Sequence, residues 1–307
     1  MRVAICIATC QRPRWLAALL SSLGQLWIDE ASTELRVIVV DNDHDGTAGE
    51  VVTAARVGFR WPLSYEIEAQ KGISFARNRA VRLALAWGAD LVAFLDDDET
   101  ACPGWLTELL AVSRQYQADV VAGPVVPAYE PGVAEWAVRG KFFERPRHST
   151  GTLVKYAITA NCLISARLLH SAQPFHPAFA LGGGGDTHFF RQAQVKGARI
   201  VWADAALVYE RVPASRATVR WLLARAYRGG TSFVLSERLL HATQKRMVLR
   251  MCTGALRGVQ GIGLLLPSLF LGKAEIVRAL QVVCVGAGLL TGTLGASYRE
   301  YTVIHGE

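Results

Sequence analysis

At 307 residues the chain is long enough for one large domain with an appendage, and its 51% hydrophobic content excludes a disordered or collagen-like protein. A formal charge of +7 points to an anionic partner, whether a nucleotide phosphate, a nucleic acid or an acidic membrane face. The Lys and Arg residues are dispersed, and no dense basic run interleaved with aromatics marks a groove for nucleic acid, so none is expected as a partner.

Strand and helix patterns alternate along the first 125 residues. A strand is expected over 3–8, a helix over 14–26, a strand over 35–40, a helix over 47–56, a strand over 63–68, a helix over 75–87 and a strand over 91–95. A helix over 106–117 and a strand over 119–121 follow. Ser74 is placed to cap the helix that Gly88 ends. This alternation predicts an α/β fold, a mostly parallel, doubly wound sheet with helices on both faces. The opening strand is broken so soon by Arg12 and Arg14 that no signal peptide is expected. From residue 122 to about 215 longer loops intervene, among them Gly123-Pro124, an Arg- and Pro-rich stretch over 139–148 and the run Gly182-Gly183-Gly184-Gly185; beyond 216 helices dominate. The expected division is a domain over 1–230, with a nucleotide-binding half (1–125) and an acceptor-binding half (126–230), then a helical tail over 231–307. The cysteines at 6, 10, 102, 162, 252 and 284 form no Cys-x-x-Cys pair and read as small apolar residues in a reducing compartment.

Polar residues gather at equivalent places in this pattern. Residues 9–13 follow the first strand, Asp41-Asn42-Asp43 the second, and Asp96-Asp97-Asp98 the fourth, while residues 71–78 open the third helix. In an open α/β sheet the carboxyl ends of the strands form the ligand crevice. Three adjacent carboxylates at a strand tip repel one another and are tolerable only where a cation or ordered water offsets the charge. The other reading is an acidic turn that opens the next helix, although one capping carboxylate would serve for that.

Together the runs Ile7-Ala8-Thr9-Cys10-Gln11-Arg12-Pro13, Val39-Val40-Asp41-Asn42, Ala76-Arg77-Asn78 and Phe94-Leu95-Asp96-Asp97-Asp98-Glu99 resemble the family 2 glycosyltransferases of GT-A fold, and most of all the bacterial exopolysaccharide members of the succinoglycan type. The resemblance covers about residues 1–230. It implies an inverting, metal-dependent hexosyltransferase that takes sugar from a nucleotide-diphosphate donor. Its acceptor would be a saccharide or a lipid-linked saccharide. Asp98, with Asp96 at Asp-x-Asp spacing, would hold Mn²⁺ or Mg²⁺, ions suited to oxygen ligands that neutralise a departing diphosphate. Asp96 or Asp97 would lie nearer the ribose. Thr9, Arg12 and Asp41 would read the base, and suit a uracil or thymine; Asp41 can also make an Asx turn. Lys71, Gly72, Arg77 and Asn78 would meet the donor at a helix start that favours anions. Arg225 and Arg228, three apart on one helix, would close over the diphosphate, or remain solvated. Asp186 takes the place of the base, but Gly185 stands where relatives commonly carry Glu. His188 reads as an ordinary helix residue, and Trp136 and Trp202 as core rather than sugar platforms.

Two alternatives stay open: a sugar nucleotidyltransferase, which should carry a Gly-rich phosphate loop after the first strand, and a non-catalytic saccharide-binding relative. A dehydrogenase lacks its Gly-x-Gly-x-x-Gly here. In the tail, 258–272 and 279–298 are free of charge, enough for a membrane hairpin turning at 273–278 or for two helices in the interface. Lys245, Arg246, Arg250 and Arg257 would stay on the cytoplasmic side of a bacterial inner membrane. Gly288 and Gly292 give a small-xxx-small spacing for close packing, and a soluble helical lid is the competing account.

Overall fold

The structure is a computed structural model that describes residues 1–241 and 243–298. Seven strands form the main sheet in the order β3-β2-β1-β4-β8-β6-β9. These are β1 (Arg2–Thr9), β2 (Glu34–Asp41), β3 (Leu63–Ile67), β4 (Leu91–Asp96), β6 (Val120–Ala122), β8 (Asn161–Ser165) and β9 (Ile200–Trp202). A small sheet, β5-β10-β7, joins β5 (Glu99–Ala101), β7 (Val125–Tyr129) and β10 (Val208–Val212). The main sheet is mostly parallel, and β8 alone runs antiparallel, between β4 and β6. The expected halves are therefore interleaved in one sheet, and the expected boundary at 125 falls at the start of β7.

β1 is central and buried, and its side chains alternate between two cores as the pleat requires. Val3, Ile5 and Ile7 face α1 (Pro13–Leu23), α2 (Gly49–Arg56) and α4 (Trp105–Tyr116) through Leu16, Leu19, Val52 and Leu109. Ala4 and Cys6 face α3 (Ile73–Ala86) and α6 (Gly185–Val195) through Ala76, Ala80, Phe189 and Phe190. Ser74 does not cap α3 as the sequence suggested. Gly72 holds the N-cap position at φ 139°, where a Cβ would lie 2.6 Å from that of Ala180, and the Ser74 hydroxyl is buried without a partner.

Parallel register decides what reaches the sheet's carboxyl edge. Thr9 pairs with Asp41 and Ala8 with Asp96, so β1, β2 and β4 end level. α5 (Glu135–Arg139) is short, and beyond β10 come three long helices: α7 (Val219–His241), α8 (Gln244–Leu271) and α9 (Lys273–Thr293). α7 runs unbroken through the expected boundary at 230. The hairpin turns at Gly272, one residue before the expected turn, and α9 packs between α7 and α8. Glycines permit this closeness: a Cβ on Gly288 would lie 2.2 Å from the Tyr227 carbonyl oxygen, and one on Gly254 would lie 2.9 Å from that of Gly286. α8 and α9 are long and apolar enough to cross a membrane. The outer side of α8 exposes Leu256, Val259, Ile262, Leu266, Leu269 and Phe270.

Candidate active site

A cavity of about 570 Å³ opens at the carboxyl edge of the main sheet, between the strand tips and α7. On the sheet side all three aspartates of the acidic run line it. Asp97 accepts from the Thr9 hydroxyl at 2.9 Å and from Arg12 at 2.8 Å. Asp98 accepts from Arg216 at 2.7 Å, with Arg12 at 3.5 Å. Asp96 accepts from Arg77 at 2.8 Å. The cations that make this cluster tolerable are thus guanidiniums of the chain itself. Both Arg12 and Arg216 also lie against the Trp15 ring, 5.1 and 5.7 Å from its centroid.

Burial shapes the charge states. It pushes the Asp97 carboxyl up to about 6, with Asp98 adding to the shift and Arg12 opposing it. Glu99, whose carboxylate accepts the Asp96 backbone N–H at 2.7 Å, is held well above the usual range by burial and then by Asp96, Asp98 and Glu210. On the opposite wall burial pushes Arg225 down to about 10.

That wall comes from distant parts of the chain. Arg225 and Arg228 of α7 line the cavity, Arg225 with its guanidinium 5.1 Å from the Trp221 ring centroid. Glu210 of β10 pairs with Arg145 at 3.1 Å and lies 3.7 Å from Arg216. Asp186, in the first turn of α6, lines the cavity too, and its carboxylate accepts the Thr187 N–H at 2.7 Å. Gly185 beside it is closely packed: a Cβ there would meet Phe179 and the unpartnered Ser74 hydroxyl at 3.4 Å. Lys71, Gly72 and Arg77 complete the rim.

Two expected donor contacts lie elsewhere. Asp41 is fully buried and does not line the cavity. Its carboxylate accepts from the N–H groups of Asp43 (3.0 Å) and Ala48 (2.8 Å) and from the Tyr65 hydroxyl (3.0 Å), so it makes the Asx turn and holds the loop after β2. Asn42 is the residue of that loop that faces the cavity; its amide donates to the Glu68 and Gln70 carbonyls and accepts from the Gly72 N–H at 2.7 Å. Asn78 is likewise buried, with both ends of its amide bonded to the Phe175 backbone at 2.8 and 3.0 Å. It ties α3 to the segment ahead of α6. His188 is a buried tie between helices, with a ring nitrogen 3.2 Å from the Ser236 hydroxyl. Burial lowers it to about 4, which keeps it neutral. Trp136 and Trp202 do not line the cavity.

Sequence reasoning missed Arg145, Glu210, Arg216 and Trp221. Arg145 lay in the Arg- and Pro-rich stretch and Trp221 in the helical part beyond 216, and no local pattern marks Glu210 or Arg216. Among the described residues no three His, Cys, Asp or Glu side chains form a metal cage. Asp96 and Asp98 do fit a hard divalent ion of the kind that takes one or two carboxylates and completes its shell with a ligand's phosphate oxygens and water.

The chain is similar to known proteins in sequence and in fold. The family profile described as Glycosyl transferase family 2 matches residues 4–171. The succinoglycan biosynthesis protein ExoM of Rhizobium meliloti (strain 1021) is 35% identical over 234 residues, 75% of this chain and 73% of that protein. The crystal structure of S. aureus TarS 1-349 superposes with a TM-score of 0.56 at 16% identity, covering 97% of this chain and 93% of that one. TarS 1-349 was also solved with UDP and with UDP-GlcNAc, at TM-scores of 0.56 and 0.53. The TarS likeness shows a shared fold, the GT-A type architecture, and the family profile together with the ExoM relative shows that this chain belongs to glycosyl transferase family 2.

Proposed function

We propose that the protein transfers a hexose, with inversion, from a UDP-sugar to a saccharide or lipid-linked saccharide in exopolysaccharide synthesis. The observation that carries this reading is one cavity with carboxylates at strand tips, a further carboxylate at a helix start, and cations that outnumber them. The surplus of positive charge suits a diphosphate. TarS, of the same fold, binds UDP and UDP-GlcNAc, and ExoM acts in succinoglycan biosynthesis.

In this reading Asp186 accepts the proton of the acceptor hydroxyl as that oxygen bonds to the anomeric carbon. The bond from that carbon to the diphosphate breaks, and its electron pair leaves with the nucleoside diphosphate. Arg77, Arg225, Arg228 and Lys71 hold the diphosphate between the two walls and oppose the charge that develops on it. Arg12, through Asp97, keeps the strand-tip turn in place. Mn²⁺ or Mg²⁺, when bound by Asp96 and Asp98, adds neutralising charge at the leaving group. The α8–α9 hairpin would anchor the enzyme at the cytoplasmic face of the membrane, with Lys245, Arg246 and Arg257 exposed beside anionic headgroups.

A panel of nucleotide sugars, assayed for release of nucleoside diphosphate with Mn²⁺ and with chelator, tests the reading. Turnover should appear with a UDP-sugar, vanish with chelator, and fall about 10²–10³-fold in Asp98→Ala. No release from any donor by the wild type would leave a binding protein as the answer.

A further inference from the structure

A second cavity, of about 380 Å³, lies beside the first and shares Lys71 and Ser232 with it. The partition is the glycine run. The Ser232 hydroxyl of α7 donates to the Gly183 carbonyl at 3.1 Å. Gly184, at φ 87°, has room for no Cβ, since one would lie 2.8 Å from that of Ser232, and a Cβ on Gly182 would lie 2.8 Å from the Tyr298 carbonyl oxygen. The run is therefore a thin wall of backbone pressed between α7 and the end of the chain's described part. α6 begins at its far end, with Asp186 two residues past Gly184 on the first cavity's side.

The two chambers differ in chemistry. The first is crowded with charge, whereas among the described residues Lys71 is the one charged residue that lines the second. There the walls are Phe75, Phe179, Leu181, Leu235 and Tyr298, with the polar groups of Gln70, Thr231 and Ser297 among them. A chamber with one cation, lined in about equal measure by polar and apolar surface, is unsuited to a diphosphate and suited to an uncharged, hydroxyl-rich ring system; its volume falls in the small-molecule range of ~300–1,000 Å³. Inversion also requires the attacking hydroxyl to approach the anomeric carbon from the face opposite the leaving group, which places the acceptor beside Asp186 and away from the diphosphate.

From these features we infer that the second cavity is the acceptor site, which seats the terminal sugar of the acceptor and presents its hydroxyl across the junction at Lys71 and Ser232 to Asp186. The inference rests on the glycosyltransferase reading above. The hydroxyl's proton passes to the Asp186 carboxylate, its oxygen bonds to the anomeric carbon, and the nucleoside diphosphate leaves from the first cavity with the electron pair. Ser297 and Tyr298, which line this cavity, follow α9, so the site adjoins the apolar hairpin.

Two variants test this in the full-length chain: Leu235→Trp, which fills the chamber, and Tyr298→Ala, which removes an aromatic wall. The probes are the UDP-sugar that the wild type hydrolyses in water and the lipid-linked saccharide fraction extracted from cells that make this protein. Slow donor hydrolysis should stay within twofold of wild type in both variants, while the apparent KM for the extracted acceptor rises at least tenfold. An unchanged acceptor KM in both variants would overturn the inference, as would an equal loss of hydrolysis and transfer in both. Failure of the wild type to hydrolyse any nucleotide sugar would instead strike the reading on which the inference stands.

Discussion

The two walls of the donor cavity are built by opposite means. On the sheet side, position is a matter of backbone register: Thr9 and Asp96 arrive at one edge because β1 and β4 are parallel and end level. On the helix side, position is a matter of side-chain pairing, as Arg145, Glu210 and Arg216, the first of them far from the other two in sequence, are held by one another and by Asp98. A wall fixed by hydrogen-bonded strands tolerates the loss of one side chain. A wall fixed by buried ion pairs does not, because removing one partner leaves the other charge uncompensated.

The largest expected effect falls on the helix wall. Asp186→Asn should lower transfer by about 10²–10⁴-fold while the affinity for UDP stays near wild type, since the carboxylate acts on the acceptor proton and not on the donor. Weaker UDP binding in that variant would blur the division between the walls. Arg216→Ala, which leaves Asp98 only its longer contact with Arg12, is expected to destabilise the fold by up to about 3 kcal/mol in chemical denaturation, and Asp98→Asn in the same background should recover part of it. Asn78→Ala should cost about 1–3 kcal/mol through the two lost Phe175 bonds with no change in the donor KM, as expected of a tie between α3 and the segment before α6.

The smallest effect is that of pH. Asp97 titrates near 6, so its ion pair with Arg12 weakens as the pH falls through that value, and the donor kcat/KM should drop about twofold between pH 7 and 6. For stability the sign is opposite. A carboxyl raised above its unfolded value penalises the fold above pH 6, and the penalty lifts as the pH falls towards 4. Asp97→Asn should remove both trends, which a pH series of activity and of thermal melting would show.

The difference between the walls also explains what could be read beforehand. The strands, their order of appearance and the acidic run are local patterns, and the α/β fold with its polar edge follows from them. Asp41 and Asn78 were legible as residues of that edge but not in their roles, because a carboxylate or amide can serve a ligand or its own backbone with the same geometry. Arg216 lies in a loop without any periodicity. Its partner, Asp98, is 118 positions earlier in the chain, and only the folded backbone brings the two together. Gly185 was legible as a departure from the family pattern; the close contacts with Phe179 and Ser74 that surround it were not.

The most direct test of the account is the affinity of UDP for the wild type, Arg77→Ala and Arg228→Ala by calorimetry, one cation withdrawn from each wall. If the cavity holds a nucleoside diphosphate between its walls, each substitution weakens binding by about tenfold or more. UDP binding that is unchanged in both variants would contradict it.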